Sequence, residues 1–515
     1  MSEKVKEMLL LLAVAILAVD TLMVQALMPL NGDVSFLLTM AKNTGLSHFY
    51  NEYYEVNPPL IVYIYKVFLM PFYMGILGDI SSLRLGVILY LLVGLYLAWL
   101  NLSYLNKNMQ ILLTLSLASG LFLILQISFG QREHLIAAGL VVYLTEVLRS
   151  SNSGQYRLLS VVSLLMVAIS ICLKPQYLLV VIFAELYMVK NNTLFYRWRE
   201  IATVVIFGGG YLLAVVLFQP EYFNFIVPLA RTYYGGYFPD FIDVLMTASA
   251  FLLVMLIPYY LLKKRPHYSQ LVFVIFLFFI ASLGAFIMGR TAFGYHLIPA
   301  FTFSFSLAYM AVIIMLKDAV DNFSIKTAVL LLLSVLPIVV FKHEDIRRSY
   351  QVDYSTAWHQ FVAKEQNLSD EMFVDPDVLN LSQKVDKYTD RGDNIIFLAS
   401  TNMLPHHTIP VHSGLSWLAR QPNFWLLPIA ITEPQNSQHR ETIRFVQQTI
   451  TDDINVNKPR VLVVQLRDET VRRYGETQLL NVLLEYPEFV DAINQYKKVE
   501  SVFVDKSVYQ LYLKK

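Results

Sequence analysis

The stretch NGDVSFLLTMAKNTGLSHFYNEYYEVNPPL, residues 31–60, decides how this chain is read. It begins where the first long apolar run, Met8–Leu30, ends. It carries acids at Asp33, Glu52 and Glu55, tyrosines at 50, 53 and 54, and the stiff step Asn57-Pro58-Pro59-Leu60. A carboxylate beside a membrane is costly to keep and is a candidate functional group by default. Asp33 has a bland reading as a loop acid or as the N-cap of a helix over Val34–Ala41. It has a sharper one as a general base that takes a proton from a hydroxyl. Glu55 is a secondary candidate. The two prolines restrict themselves and the residue before them, so they give a rigid entry into Leu60–Tyr73. They leave the polar Asn57 beside them without a bland explanation.

The rest of the chain supplies the membrane. It has 515 residues, 56% of them hydrophobic and only 15% charged, with mean hydropathy +0.50. Soluble domains carry about 25% charged residues. Apolar runs at Met8–Leu30, Leu83–Leu105, Ile111–Phe129, His134–Leu148, Leu158–Leu173, Tyr177–Val189, Ile201–Phe218, Val244–Leu262, Leu271–Met288, Leu297–Leu316 and Ala328–Phe341 predict about 11 transmembrane helices. Leu60–Tyr73, about 14 residues long and interrupted by Lys66 and Pro71, is better read as a juxtamembrane segment than as a span. The first run follows Lys4 and Lys6 and is read as a retained helix rather than a cleaved leader.

With the N-terminus in the cytoplasm, the runs Lys263-Lys264-Arg265 and Arg197–Arg199, together with Arg149 and Arg157, fall inside, as the positive-inside rule expects. Single basic residues at span ends (Arg132, Lys174, Arg231 and Arg290) then share the outer face with Asp33. The expected division is a transmembrane module over residues 1–341, with an outer juxtamembrane loop at 31–82, and an extracytoplasmic α/β domain over residues 342–515. The latter has strand-like pieces at 394–398, 460–466 and 501–512 and helix-like pieces at 441–450 and 478–484. A net charge of +1 argues against a nucleic-acid role, which needs a basic face. Cys172 is alone, so no disulfide forms within the chain.

The outer residues suggest chemistry. In Gly130-Gln131-Arg132-Glu133-His134 the guanidinium suits a phosphate, and Glu133 or His134 can position a substrate. Lys174, before Pro175, is a second phosphate candidate. Arg290 and His296 frame Phe293-Gly294-Tyr295 as a third basic, aromatic entrance. The loop from Tyr233 to Asp240 reads as an aromatic belt or as a lid in which Tyr234 stacks on a sugar. His406, His407 and His412 lie near Trp417, but no cysteine or nearby acid completes a zinc set, so they read as a loop or carbohydrate-facing patch. No P-loop or dinucleotide fingerprint is present.

Asp33 shortly after the first span, Pro58-Pro59-Leu60, the Gly78-to-Arg84 spacing and Arg132-Glu133 at a later span end resemble the GT-C superfamily of integral membrane glycosyltransferases. Protein O-mannosyltransferases and lipid A aminoarabinose transferases belong to that group. Its members often have His or Lys before Pro-Pro, where this chain has Asn57. The resemblance implies an inverting transfer of a sugar from a polyprenyl-phosphate donor to a hydroxyl of a glycan, lipid or protein on the outer face of a bacterial inner membrane. It implies Asp33 as base with Glu133 as second acid. Arg132, Lys174 and Arg290 would hold the donor phosphate, and Glu55, Asn57, His134, Tyr234 and His296 would line the substrate. No resident cofactor is assigned, and dependence on a divalent cation stays open. A flippase or transporter of lipid-linked sugar, or a non-catalytic polysaccharide-assembly membrane protein, remains the alternative.

Overall fold

The computed structural model describes residues 2–123, 127–153, 158–190, 198–291, 293–321, 324–364, 366–368, 373–466, 478–504 and 507–515. Arg157 and Arg197, used above for orientation, lie outside them. The chain forms two compact units, each assembled from separated stretches. One comprises Met1–Ala26, Arg84–Leu212 and Pro239–Ala357; the other comprises Leu27–Leu83, Leu213–Phe238 and Trp358–Lys515.

The first unit is helical because lipid offers no partner for backbone N–H and C=O groups, and a helix satisfies both within itself. The apolar runs read from the sequence centre on helices; Ile111–Phe129 is helical up to Phe122, and its residues 124–126 lie outside the described ones. Among the described residues, six helices are long and apolar enough to cross a membrane: Glu3–Leu27, Asp79–Tyr104, Ile201–Phe218, Phe241–Lys263, Ser269–Gly289 and Gly294–Asp321. This is an integral membrane protein. Arg132–Ser153 packs on Leu158–Leu173, and Gly139 lets them touch: a Cβ there would lie 2.6 Å from the Met166 carbonyl oxygen. Polar side chains lock the same region. Asn101 Nδ2 donates to Ser163 Oγ at 3.0 Å and to Thr145 Oγ1 at 3.3 Å. Buried Arg149 grips buried Glu146 (Nη2 to Oε1, 2.6 Å) and donates to Ser160. Arg149 is therefore an internal cross-link rather than a loop charge in water: it pairs with Glu146 one turn earlier on its own helix and reaches Ser160 on the next helix.

The second unit holds a mixed sheet: β1 (Asn394–Leu398), β2 (Ser416–Trp417), β3 (Val461–Gln465), β4 (Tyr496–Val504) and β5 (Ser507–Lys514). The order is β2-β1-β3-β5-β4. β1 runs parallel to β2 and β3, whereas β5 runs antiparallel to β3 and β4. Central β3 is buried along its whole length, as a strand covered on both faces must be. Helix Ser437–Asn457, capped by Asn436, lies in the connection from β2 to β3.

Helices Gly32–Asn43, Leu60–Phe68 and Met70–Tyr73 belong to this unit. The last two are short, and neither is among the helices long and apolar enough to cross a membrane. Lys66 Nζ binds the carbonyls of Ala41 and Thr44 at 2.7 and 2.5 Å. Those carbonyls end the Gly32–Asn43 helix, where a cation is favoured. The chain as a whole is mainly α with a C-terminal α/β part.

Candidate active site

Three helix ends in the membrane unit bring charged side chains together. Arg132 and Glu133 begin the helix Arg132–Ser153. Lys174 ends Leu158–Leu173, because Pro175 disfavours helical backbone in the residue before it; Lys174 is extended, with φ −155° and ψ 101°. His296 sits in the turn Gly294–Leu297, just before Ile298–Asp321.

Glu133 is completely buried. Its Oε1 accepts from Lys174 Nζ at 2.7 Å and faces His296 Nε2 at 3.5 Å and Arg132 Nη2 at 3.9 Å. Its Oε2 is also buried and has no hydrogen-bond partner among the described residues. Burying a lone carboxylate costs several kcal/mol, so Lys174 and Arg132 are what keep Glu133 ionised there. The His296 ring is held from its other side, with Thr291 Oγ1 and His296 Nδ1 2.5 Å apart. The buried Tyr177 hydroxyl donates to the His296 carbonyl at 3.1 Å. The cluster holds two permanent cations and one carboxylate, so it is one positive charge in excess and suits an anion.

Four of the expected residues, Arg132, Glu133, Lys174 and His296, thus meet in one place. Two others from this unit are directed elsewhere. His134 is buried, its Nε2–H donates to the Leu121 carbonyl at 3.1 Å, and its ring meets Phe129 edge-on. Arg290 is exposed, with left-handed backbone (φ 53°), and its guanidinium lies 5.8 Å from the centre of the Phe241 ring. Thr291 and Tyr177 were not anticipated. Only its contact with the His296 carbonyl reveals a role for Tyr177.

The other unit holds Asp33, Glu55, Asn57 and Tyr234. Asn31, not Asp33, caps the helix: its Oδ1 accepts from the Asp33 N–H at 3.0 Å. Asp33 lies half-buried in the first turn, where the helix dipole favours a carboxylate. Gly32 is pressed on the backbone of 403–404, and a Cβ there would be 2.5 Å from the Met403 carbonyl oxygen and 2.8 Å from the Leu404 nitrogen. The preceding residue is clamped: the Leu30 N–H donates to His412 Nε2 at 3.1 Å, and the Leu30 carbonyl accepts from Thr408 Oγ1 at 2.9 Å. His407 wedges between Phe36 and Trp417, with ring centres at 4.6 and 4.3 Å, and donates to the Pro422 carbonyl at 2.6 Å. The histidines read from sequence as a loop or carbohydrate patch are buried packing groups; His407 and His412 hold the acidic helix and its entry, and His406 packs on Phe397 and Tyr509.

Glu55 is buried and accepts from the Asn57 N–H at 2.9 Å, which shapes the turn before the prolines. The Asn57 carbonyl accepts from the Tyr50 hydroxyl. Tyr53 donates to the Trp417 carbonyl at 3.3 Å. Tyr234 is half-buried beside Tyr237 and Phe238. Its neighbours anchor this loop: Tyr233 bonds Thr442 at 2.7 Å, and Tyr237 donates to the Thr401 carbonyl at 3.0 Å. Among the described residues no group of three or more His, Cys, Asp or Glu side chains forms a metal-ligand set.

No family model matches the sequence, and no curated protein matches it. Solved structures do match. The crystal structure of ArnT from Cupriavidus metallidurans bound to undecaprenyl phosphate is 13% identical, with a TM-score of 0.52, over 97% of this chain and 97% of that one. Its apo form is 12% identical, with a TM-score of 0.50 and the same coverage. The archaeal oligosaccharyltransferase AglB from Archaeoglobus fulgidus, in complex with an inhibitory peptide and a dolichol-phosphate, is 13% identical with a TM-score of 0.44, over 99% of this chain and 74% of that one. The likeness to ArnT extends over nearly the whole chain and establishes a common fold.

Proposed function

From the GT-C fold as premise, we propose that the protein is a membrane glycosyltransferase that moves a sugar from a polyprenyl-phosphate donor to a hydroxyl acceptor on the extracytoplasmic face, with inversion. The observation that carries this reading is the buried cluster of Arg132, Lys174, Glu133 and His296, with its single excess positive charge. A polyprenyl-phosphate sugar is a phosphodiester with one negative charge. When its glycosidic bond breaks, that charge grows on the leaving phosphate, and fixed cations stabilise the growth. Undecaprenyl phosphate bound to ArnT, which shares the fold, supports a carrier of the same class. A donor of this kind also needs no nucleotide site, in keeping with the missing glycine-rich fingerprints.

In the proposed reaction Asp33 takes the proton of the acceptor hydroxyl. The acceptor oxygen forms its bond to the anomeric carbon from the face opposite the phosphate. The bond from that carbon to the phosphate oxygen breaks, and polyprenyl phosphate leaves. The acceptor is a glycan, lipid or protein, and the N-terminus is cytoplasmic. The test uses the purified full chain with undecaprenyl-phosphate hexoses and an extract of envelope glycans and lipids. Transfer by the wild type and its loss in a folded Asp33→Asn variant are expected. Full activity in Asp33→Asn would remove the base from the mechanism. Vesicle-to-vesicle movement of intact donor, without transfer, would favour a flippase instead.

A further inference from the structure

The buried cluster contains more than a phosphate site needs. Glu133 weakens the field of the two cations, so a pocket selected for phosphate alone would do better without it. Its geometry is nevertheless tightly arranged. Oε1 is engaged by Lys174 at 2.7 Å and faced by His296 Nε2 at 3.5 Å, while Oε2 has no hydrogen-bond partner among the described residues. A carboxylate only accepts. The arrangement that satisfies both ring nitrogens has Thr291 donating its hydroxyl proton to His296 Nδ1 and His296 Nε2–H directed at Oε1. Thr291, His296 and Lys174 therefore hold one oxygen of Glu133 and leave the other without a partner among the described residues. A buried acceptor left without a donor is expensive.

We propose that Glu133 Oε2 accepts a hydrogen bond from a neutral hydroxyl of the donor sugar, with Thr291 and His296 as positioning residues for it, and that the enzyme therefore uses a neutral sugar rather than an amino sugar. This rests on Arg132 and Lys174 as the carrier-phosphate site. Charge balance supports the choice of sugar class. Arg132, Lys174 and Glu133 leave one positive charge, and a phosphodiester cancels it. A sugar ammonium would restore an uncompensated positive charge beside two fixed cations in a buried place, where it is poorly tolerated.

The test is equilibrium binding to the purified full chain in detergent. The probes are undecaprenyl methyl phosphate, which has the same charge as the donor but no sugar, the undecaprenyl-phosphate conjugates of glucose, galactose and mannose, and the aminoarabinose conjugate. A hydrogen bond to a charged group is worth about tenfold or more in affinity. At least one neutral conjugate should therefore exceed the methyl diester by about that factor, and the aminoarabinose conjugate should not. Glu133→Gln should bind the methyl diester at least as tightly as the wild type, because a negative charge is gone, yet lose the preference for the sugar. A purely structural role would weaken both lipids together.

Glu133→Asp, which keeps the charge and withdraws the oxygen, gives a second measurement if the glutamine variant does not fold; it too should lose the preference and keep the methyl diester. Thr291→Val should reduce the preference and spare the methyl diester. A preference retained in both Glu133 variants, or tightest binding of the aminoarabinose conjugate, overturns the proposal. Methyl-diester binding that is absent in the wild type, or unchanged in Arg132→Ala and Lys174→Ala, removes the phosphate reading, and this inference with it.

Discussion

Gly32→Ala pits local propensity against tertiary contact. Gly32 begins the helix Gly32–Asn43, and alanine is favoured over glycine in a helix by up to about 1 kcal/mol. Judged from the helix alone, the substitution stabilises. In the folded chain the new methyl group would stand 2.5 Å from the Met403 carbonyl oxygen and 2.8 Å from the Leu404 nitrogen. Ordinary contacts lie near 3.5 Å, so relief requires a shift of about 1 Å. The obstructing atoms are backbone and cannot rotate away. The Leu30 clamp by His412 and Thr408 also resists the movement. Overpacking of this kind costs about 1–3 kcal/mol, so the contact outweighs the propensity.

The neighbouring residue is Asp33, the proposed base, and a 1 Å misplacement of a group with that role can cost about 10²-fold in rate. Thermal unfolding in detergent and initial transfer rates should both fall in Gly32→Ala. Gly45→Ala is the control, since nothing lies within 4 Å of a Cβ there, and it should behave as wild type. A Gly32→Ala protein with unchanged or raised unfolding temperature and wild-type transfer would refute the reasoning.

Further outcomes are expected. Lys174→Met leaves Glu133 buried without its 2.7 Å partner and should destabilise by about 3–5 kcal/mol; adding Glu133→Gln should restore much of that stability in thermal unfolding but not donor binding. Burial pushes the imidazole of His407 down to about 3 from an ordinary 6.5. The unfolded chain then binds the extra proton between those values, so the stabilising effect is complete above pH 6.5 and is lost as pH falls toward 3. At pH 5 this amounts to about 2 kcal/mol, and His407→Gln should flatten that acid limb in unfolding scans at pH 7 and pH 5.

Much of the architecture is local and was legible without coordinates. Apolar runs specify helices because lipid leaves the backbone no other satisfied conformation, and the runs centre on helices among the described residues. The short apolar runs 394–398 and 460–466 likewise read as strands, and they pair as β1 and β3. Residue types placed Arg132, Glu133 and Lys174 among the candidates, since cations at span ends beside an acid are unusual. Sequence also held the Glu146–Arg149 spacing, although the positive-inside rule drew attention to the wrong property of Arg149.

What tertiary structure alone decided is which side chains meet. Glu133 finds Lys174 across 41 positions and then His296 from a third helix end, and no periodicity within one element encodes such a meeting. The same holds for residues 31–60. Their acids and tyrosines are intelligible only because 27–83, 213–238 and 358–515 fold as one unit, in which distant histidines pack on the helix of Asp33 and Glu55 closes its own turn. Local pattern determines where a helix can form. Burial and charge pairing, which act between elements, determine what its end residues are able to do.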